Sequence, residues 1–114
     1  MTRDGVLVAR HENEIGGTTD VAARAQFADR RTTKVIDGAR VTGWFTEDFL
    51  LEELKTLRAR ERIPELRPAN TRLDGRLEIP TLEEILALTR TVQEQRQVRA
   101  RELGLPAPGP VGVY

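Results

Sequence analysis

Gly5-Val6-Leu7-Val8-Ala9-Arg10 is a short β-rich run, opened by the turn pair Asp4-Gly5, that delivers His11-Glu12-Asn13-Glu14 at its end. Strand-forming residues over these positions predict a strand with polar side chains at its C-terminal tip. The second decisive stretch is Ile79-Pro80-Thr81-Leu82-Glu83-Glu84. Its spacing is that of a capping box: the Thr81 hydroxyl meets the Glu84 amide, the Glu84 carboxylate reaches back, and Pro80 prevents an earlier helix start. Leu82, Ile85, Leu86, Leu88 and Val92 then recur at helical spacing and predict a buried face. Residues 93–102 are almost wholly polar, Leu103-Gly104 closes the helix, and Val111-Gly112-Val113-Tyr114 reads as the first half of a further strand. Strand, helix and strand start in this order make a βαβ unit enlarged by everything between.

Residues 14–31 show no sustained period, so they read as mostly loop around Gly16-Gly17-Thr18-Thr19-Asp20, with a turn or two of helix over residues 21–27. Thr33-Lys34-Val35-Ile36 and Ala39-Arg40-Val41-Thr42 flank Asp37-Gly38, a dipeptide that accepts positive φ at both central positions of a hairpin turn. Trp44-Phe45 reads as a packing anchor. Leu50, Leu54 and Leu57, with Leu51 beside them and Glu52, Glu53 and Lys55 opposite, predict an amphipathic helix of two to three turns. Residues 63–78 carry Pro64, Pro68, Asn70 and Asp74-Gly75 and read as a second loop. Two strands and one helix cannot cover both faces of a parallel sheet, so the chain reads as a piece of a larger α/β domain with an insertion at about residues 15–78.

The chain has 114 residues, enough for one modest domain, and 18 basic residues balance 18 acidic ones. That balance is unlike a nucleic-acid-binding polycation, so no nucleic-acid partner is expected. Without cysteine there is no disulfide, thiolate metal site or cysteine nucleophile. Apolar runs are too short for a membrane span, and the first residues lack a signal-peptide layout, so the chain as given reads as soluble, with its compartment open. Sixteen of the basic residues are arginine, a bias that suits planar contacts to carboxylate or phosphate and that genome composition explains at least as well.

Five blocks in order resemble the glycerophosphodiester phosphodiesterases, specifically the bacterial subgroup with an insertion after the third strand of a (β/α)8 barrel. They are the strand ending in His11-Glu12-Asn13-Glu14, the turn Gly17-Thr18-Thr19-Asp20-Val21-Ala22, the segment Phe27-Ala28-Asp29-Arg30-Arg31-Thr32-Thr33-Lys34, the stretch Gly43-Trp44-Phe45-Thr46-Glu47-Asp48-Phe49, and Ile79-Pro80-Thr81-Leu82-Glu83-Glu84. The resemblance implies an incomplete TIM-barrel fragment: third strand, insertion with hairpin and helix, third main helix and start of the fourth strand, with residues 1–114 a partial domain. It implies metal-assisted hydrolysis of glycerophosphodiesters to glycerol 3-phosphate and an alcohol. Two histidines act as acid and base, and carboxylates hold a divalent cation, calcium or magnesium.

By that resemblance His11 is one of the two catalytic histidines, Glu12 orients it, lies close to the metal or is simply a solvated carboxylate, and Asn13 contacts substrate or merely turns the backbone. The other histidine and two metal carboxylates belong to earlier strands, before Met1, and a third carboxylate to the fourth strand just past Tyr114. No metal ligand is assigned here, and this chain alone is expected to be inactive and without a bound cation. Missing barrel segments or self-association are its expected partners. Where relatives open the insertion helix with Thr, this chain has Leu50, which leaves Thr46 or Asp48 as the expected cap. Glu12 and Glu14, two apart, are a weak metal pair. Arg58, Arg60, Arg62 and Arg67, interleaved with Glu61 and Glu65, read first as a solvated, self-compensated face and second as phosphate contacts. The alternative to an enzyme fragment is a stand-alone binding or interaction module, or half of a two-fragment assembly.

Overall fold

The computed structural model describes residues 1–113 and divides into two compact units, Met1–Ile79 and Pro80–Tyr114. Among the described residues no helix is long and apolar enough to cross a membrane.

In the first unit, residues 5–10 make no strand ladder among the described residues. A β-rich run becomes a strand only through a ladder of hydrogen-bonded neighbours, and here a single bridged position, Val8, and burial of period two are what remain of the pattern: Val6, Val8 and Arg10 are half-buried while Leu7 and Ala9 are exposed. The run is anchored at its start by a turn in which Gly5 has φ +84° and the Val6 amide donates to Thr2 Oγ1 at 2.8 Å. The Arg3 amide reaches the Phe49 carbonyl at 2.8 Å.

Residues 14–31 are irregular, as expected, with 3-10 turns at Val21–Ala23 and Ala25–Arg30. They are nonetheless pinned: buried Thr19 donates to the Ile15 carbonyl at 2.7 Å, and the Asp20 amide donates to the Arg58 carbonyl at 3.0 Å. The hairpin forms as predicted, each strand one residue longer: β1 (Thr32–Ile36) pairs antiparallel with β2 (Ala39–Gly43), Ile36 facing Ala39. Asp37 and Gly38 take φ of 49° and 80°, the left-handed values that its turn requires.

The insertion helix α1 (Leu51–Thr56) is shorter than its leucine spacing predicts. It stops because Leu57 is wholly buried and the next residues are drawn into pairing elsewhere. The Arg58 amide donates to Asp20 Oδ1 at 2.8 Å, and Thr19 and Ala59 form an antiparallel bridge. Neither Thr46 nor Asp48 caps α1. Those residues make a separate 3-10 turn (Thr46–Asp48), while the Leu50 amide is taken by Glu53 Oε2 at 2.8 Å and the Leu51 amide by Asp4 Oδ1 at 3.0 Å. Residues 63–78 contain one further 3-10 turn, Pro68–Leu73, where loop alone was expected. Pro68 starts it, since proline presets φ and its missing amide is not needed there.

The core of this unit is Ile15, Val21, Phe27, Phe49, Leu54, Leu57 and Ile79, with Val8 and Trp44 packed on it. Most of it comes from the expected insertion, so that segment carries its own apolar core. Phe27 and Phe49 meet edge to face, centroids 5.1 Å apart. Trp44 is the anchor anticipated, its indole Nε1 donating to the Phe27 carbonyl at 2.7 Å.

In the second unit α2 (Leu82–Glu102) starts where the capping box placed it. Thr81 Oγ1 accepts from the Glu84 amide at 3.1 Å, and Glu84 Oε2 accepts from the Thr81 amide at 2.8 Å. Gly104, φ +65°, turns the chain off its end. The predicted buried face is not buried: Leu82, Leu86 and Leu88 are exposed, Leu88 by 63%, and Ile85 and Val92 are only half-covered. An amphipathic pattern specifies which side of a helix seeks cover, not that cover is present. Residues 111–113 form no strand, and the Val111 amide instead donates to Gln93 Oε1 at 2.9 Å. The rest of that expected strand, Tyr114, lies outside the described residues.

Candidate functional site

The tip of residues 5–10 meets the segment that follows α1. Together Ala9, Arg10, His11 and Glu12 on one side, Thr18, and Ala59, Arg60, Glu61, Arg62 and Arg67 on the other line a cleft of about 440 Å³. The Thr-rich turn holds the two sides together. The Thr18 carbonyl accepts from the Arg60 amide at 2.9 Å, and its hydroxyl accepts from Arg10 Nη2. Asp20 adds a grip on both neighbours, its Oδ2 accepting from Arg24 Nη2 at 2.6 Å and its Oδ1 from the Arg58 amide.

His11 projects into solvent, its side chain 95% exposed, and Nδ1 donates to Glu12 Oε1 at 3.2 Å. Arg62 Nη1 lies 3.8 Å from the same oxygen. This leaves the imidazole Nε2 open to the cleft mouth. Asn13 does not line the cleft: its Nδ2 donates to Glu47 Oε1 at 3.1 Å, and its carbonyl accepts from the Thr46 amide at 2.9 Å. Glu47 is in turn held by Lys34 Nζ at 2.9 Å.

Glu14 and Glu12 are not a pair. Glu14 Oε1 accepts from the amides of Gly16 at 2.7 Å and Trp44 at 3.1 Å, bracing the turn against the end of β2. Any Cβ on Gly43 would meet that carboxylate at 2.0 Å, so the close approach requires glycine there. Among the described residues no three His, Asp or Glu side chains come together in a way that could hold a metal.

Arg10 was not singled out by the sequence, although its position two after Val8 puts it on the inward side of the run. It is half-buried, and that burial draws its guanidinium below its ordinary range, with Glu12 and Glu14 pulling the other way. It stays a cation, and its Nε is buried without a hydrogen-bond acceptor. The basic stretch is largely solvated, as read: Arg60, Arg62 and Arg67 are exposed, Arg62 lies near Glu12, and Arg67 acts on Glu61 through its charge. Arg58 alone is fully engaged, pairing with Glu78 at 3.5 Å and donating to the Lys55 and Leu57 carbonyls.

An imidazole with a carboxylate partner, at the mouth of a guanidinium-lined cleft, is chemistry suited to an anionic ester. The sequence profile of the Glycerophosphoryl diester phosphodiesterase family matches residues 1–102, and the chain belongs to that family. It is similar to the glycerophosphodiester phosphodiesterase GDPD6 of Arabidopsis thaliana, 36% identical over 113 residues that cover 99% of this chain and 26% of the relative. The chain thus spans about a quarter of that relative's length. No solved structure matches it. Members of the family are phosphoric diester hydrolases with a (β/α)8 barrel, in general dependent on a divalent cation. The described residues do not by themselves make a site for that cation, with Glu14 spent on amides and Glu12 on His11.

Proposed function

We propose that this chain forms the part of a glycerophosphodiester phosphodiesterase barrel that runs from the third strand, through an insertion, to the third main helix and the start of the fourth strand. The reaction is hydrolysis of a glycerophosphodiester to glycerol 3-phosphate and an alcohol. His11 is one of its two proton-transfer groups. The carrying observation is the His11 and Glu12 pair at the cleft mouth, with Nδ1 committed to the carboxylate. A carboxylate on Nδ1 holds the tautomer and stabilises the imidazolium, so Nε2 can take a proton from the attacking oxygen or return one to the leaving oxygen. Glu12 is the orienting residue. Asn13, tied to Glu47, sets the turn that carries His11, and in this reading it does not touch substrate. The second histidine, the cation ligands and the cover for α2 come from further barrel segments or from a partner copy.

The test is His11→Ala in the full-length protein, followed by glycerol 3-phosphate release from glycerophosphoglycerol. Loss of an acid or base lowers turnover about a hundredfold or more. A rate near that of the wild type would remove His11 from the mechanism and leave only the family's fold.

A further inference from the structure

Four guanidiniums line the cleft beside His11: Arg10 from the tip, and Arg60, Arg62 and Arg67 from the segment after α1. The cleft's carboxylates are Glu12 and Glu61. Glu61 is held first by its own loop, Oε1 accepting from the Ile63 amide at 3.0 Å and Oε2 from Asn70 Nδ2 at 2.7 Å, bonds that lower its pKa, with the charge of Arg67 adding to them at longer range. Glu12 is shared between His11 and Arg62. Among the described residues no carboxylate lies within ion-pair distance of Arg60 or Arg67, and the buried Arg10 Nε has no acceptor. Four cations less two carboxylates leave the cleft two positive charges in excess.

A single phosphodiester carries one negative charge and would leave that excess half-matched. Arg60 and Arg10 are both fixed on Thr18, so these charges sit on braced backbone rather than on a floppy loop. Planar guanidinium forks pair with phosphate oxygens two at a time. We infer that Arg10, Arg60, Arg62 and Arg67 form a subsite for a second phosphate group, carried by the alcohol half of the substrate, while the scissile phosphate lies at His11. The inference rests on the phosphodiesterase reading and adds to it a substrate class: diesters whose head group is itself anionic. Glycerophosphodiesters with neutral or cationic head groups are the poorer substrates.

The experiment uses the full-length protein with bis(glycerophospho)glycerol, whose head group bears a second phosphodiester, against glycerophosphoglycerol, whose head group is neutral. The expected kcat/KM ratio, anionic over neutral, is about tenfold or more at low salt, and it falls toward one in the Arg60→Ala, Arg67→Ala double variant. Both side chains are exposed, so their truncation leaves the core untouched. Calorimetric binding of bis(glycerophospho)glycerol to His11→Ala protein provides a readout independent of turnover. A Kd raised about tenfold by the double substitution in that background supports the subsite. Should His11→Ala hydrolyse normally, the proposed mechanism falls and the kcat/KM ratio, with and without the double substitution, tests the subsite in place of calorimetry. A ratio and a Kd that the double substitution leaves unchanged would overturn the subsite.

Discussion

Arg30 shows how much a single side chain does in the first unit. Its guanidinium lies 5.2 Å from the ring centroids of both Phe27 and Phe49, capping the aromatic pair. Its two terminal nitrogens donate to Glu53 at 2.7 and 2.5 Å, and Glu53 also accepts from the Leu50 amide to start α1. One carboxylate therefore joins the residue 25–30 turn to α1. The bidentate Arg30 bond, ahead of the opposing effect of burial, holds the Glu53 pKa below its usual range. A depressed folded pKa stabilises above the unfolded value, near 4.3 for glutamate, and that contribution is lost as pH falls through the folded value. Glu53→Gln keeps an acceptor for Leu50 but removes the charge. It is expected to lower stability by about 1 kcal/mol at neutral pH, since the pair is partly exposed. The difference from the wild type should shrink below about pH 4. Urea denaturation at pH 7 and pH 3.5 measures both, and an equal deficit at the two values would deny the ion pair its role.

Among the elements, α2 and the hairpin are specified by neighbours in sequence, whereas α1, beyond its local Leu50 and Glu53 bond, draws on distant residues. The Thr81 and Glu84 capping box closes over three residues and needs nothing else. Thr81→Ala is accordingly expected to cost about 1 kcal/mol of helix stability, seen as faster amide exchange over the first turn of α2, with no change in the hairpin. Protection of that turn equal to wild type would mean that packing rather than the cap holds the helix start. In α1 the leucine spacing was legible but both ends were not. Its start uses Asp4, 47 positions away, and its end is set by Asp20, 38 positions from Arg58. No local pattern contains such partners.

For the molecule as a whole, the chain carries one histidine, and among its described residues there is no cluster able to hold a cation. One imidazole cannot act as base and acid on opposite sides of phosphorus in one passage. The 114-residue chain by itself is therefore expected to release no glycerol 3-phosphate above a His11→Ala control. Release above that control would show a complete site and favour an independent enzyme over a barrel segment. The apolar stripe of α2 is half-covered only along its middle, at Ile85 and Val92; Leu82 and Leu86 stand exposed on one edge and Leu88 on the other, and each would contribute roughly 1.5–3 kcal/mol once buried.

Sequence by itself determined whatever closes within a few residues: the Asp37-Gly38 hairpin turn, the Thr81 cap, the apolar stripe of α2, and the tip that presents His11 beside Glu12. These depend on backbone preferences and on side chains reaching amides two to four positions away. The motif blocks likewise made the family legible. Tertiary structure decided the rest. It denied residues 5–10 a ladder among the described residues, shortened α1, turned Glu14 from a metal candidate into a brace for Gly16 and Trp44, and committed Asn13 to Glu47. It also brought Arg60, Arg62 and Arg67 up to Arg10 and His11 across some fifty residues of chain. A charge acquires a chemical role only from the charges and acceptors that folding places around it.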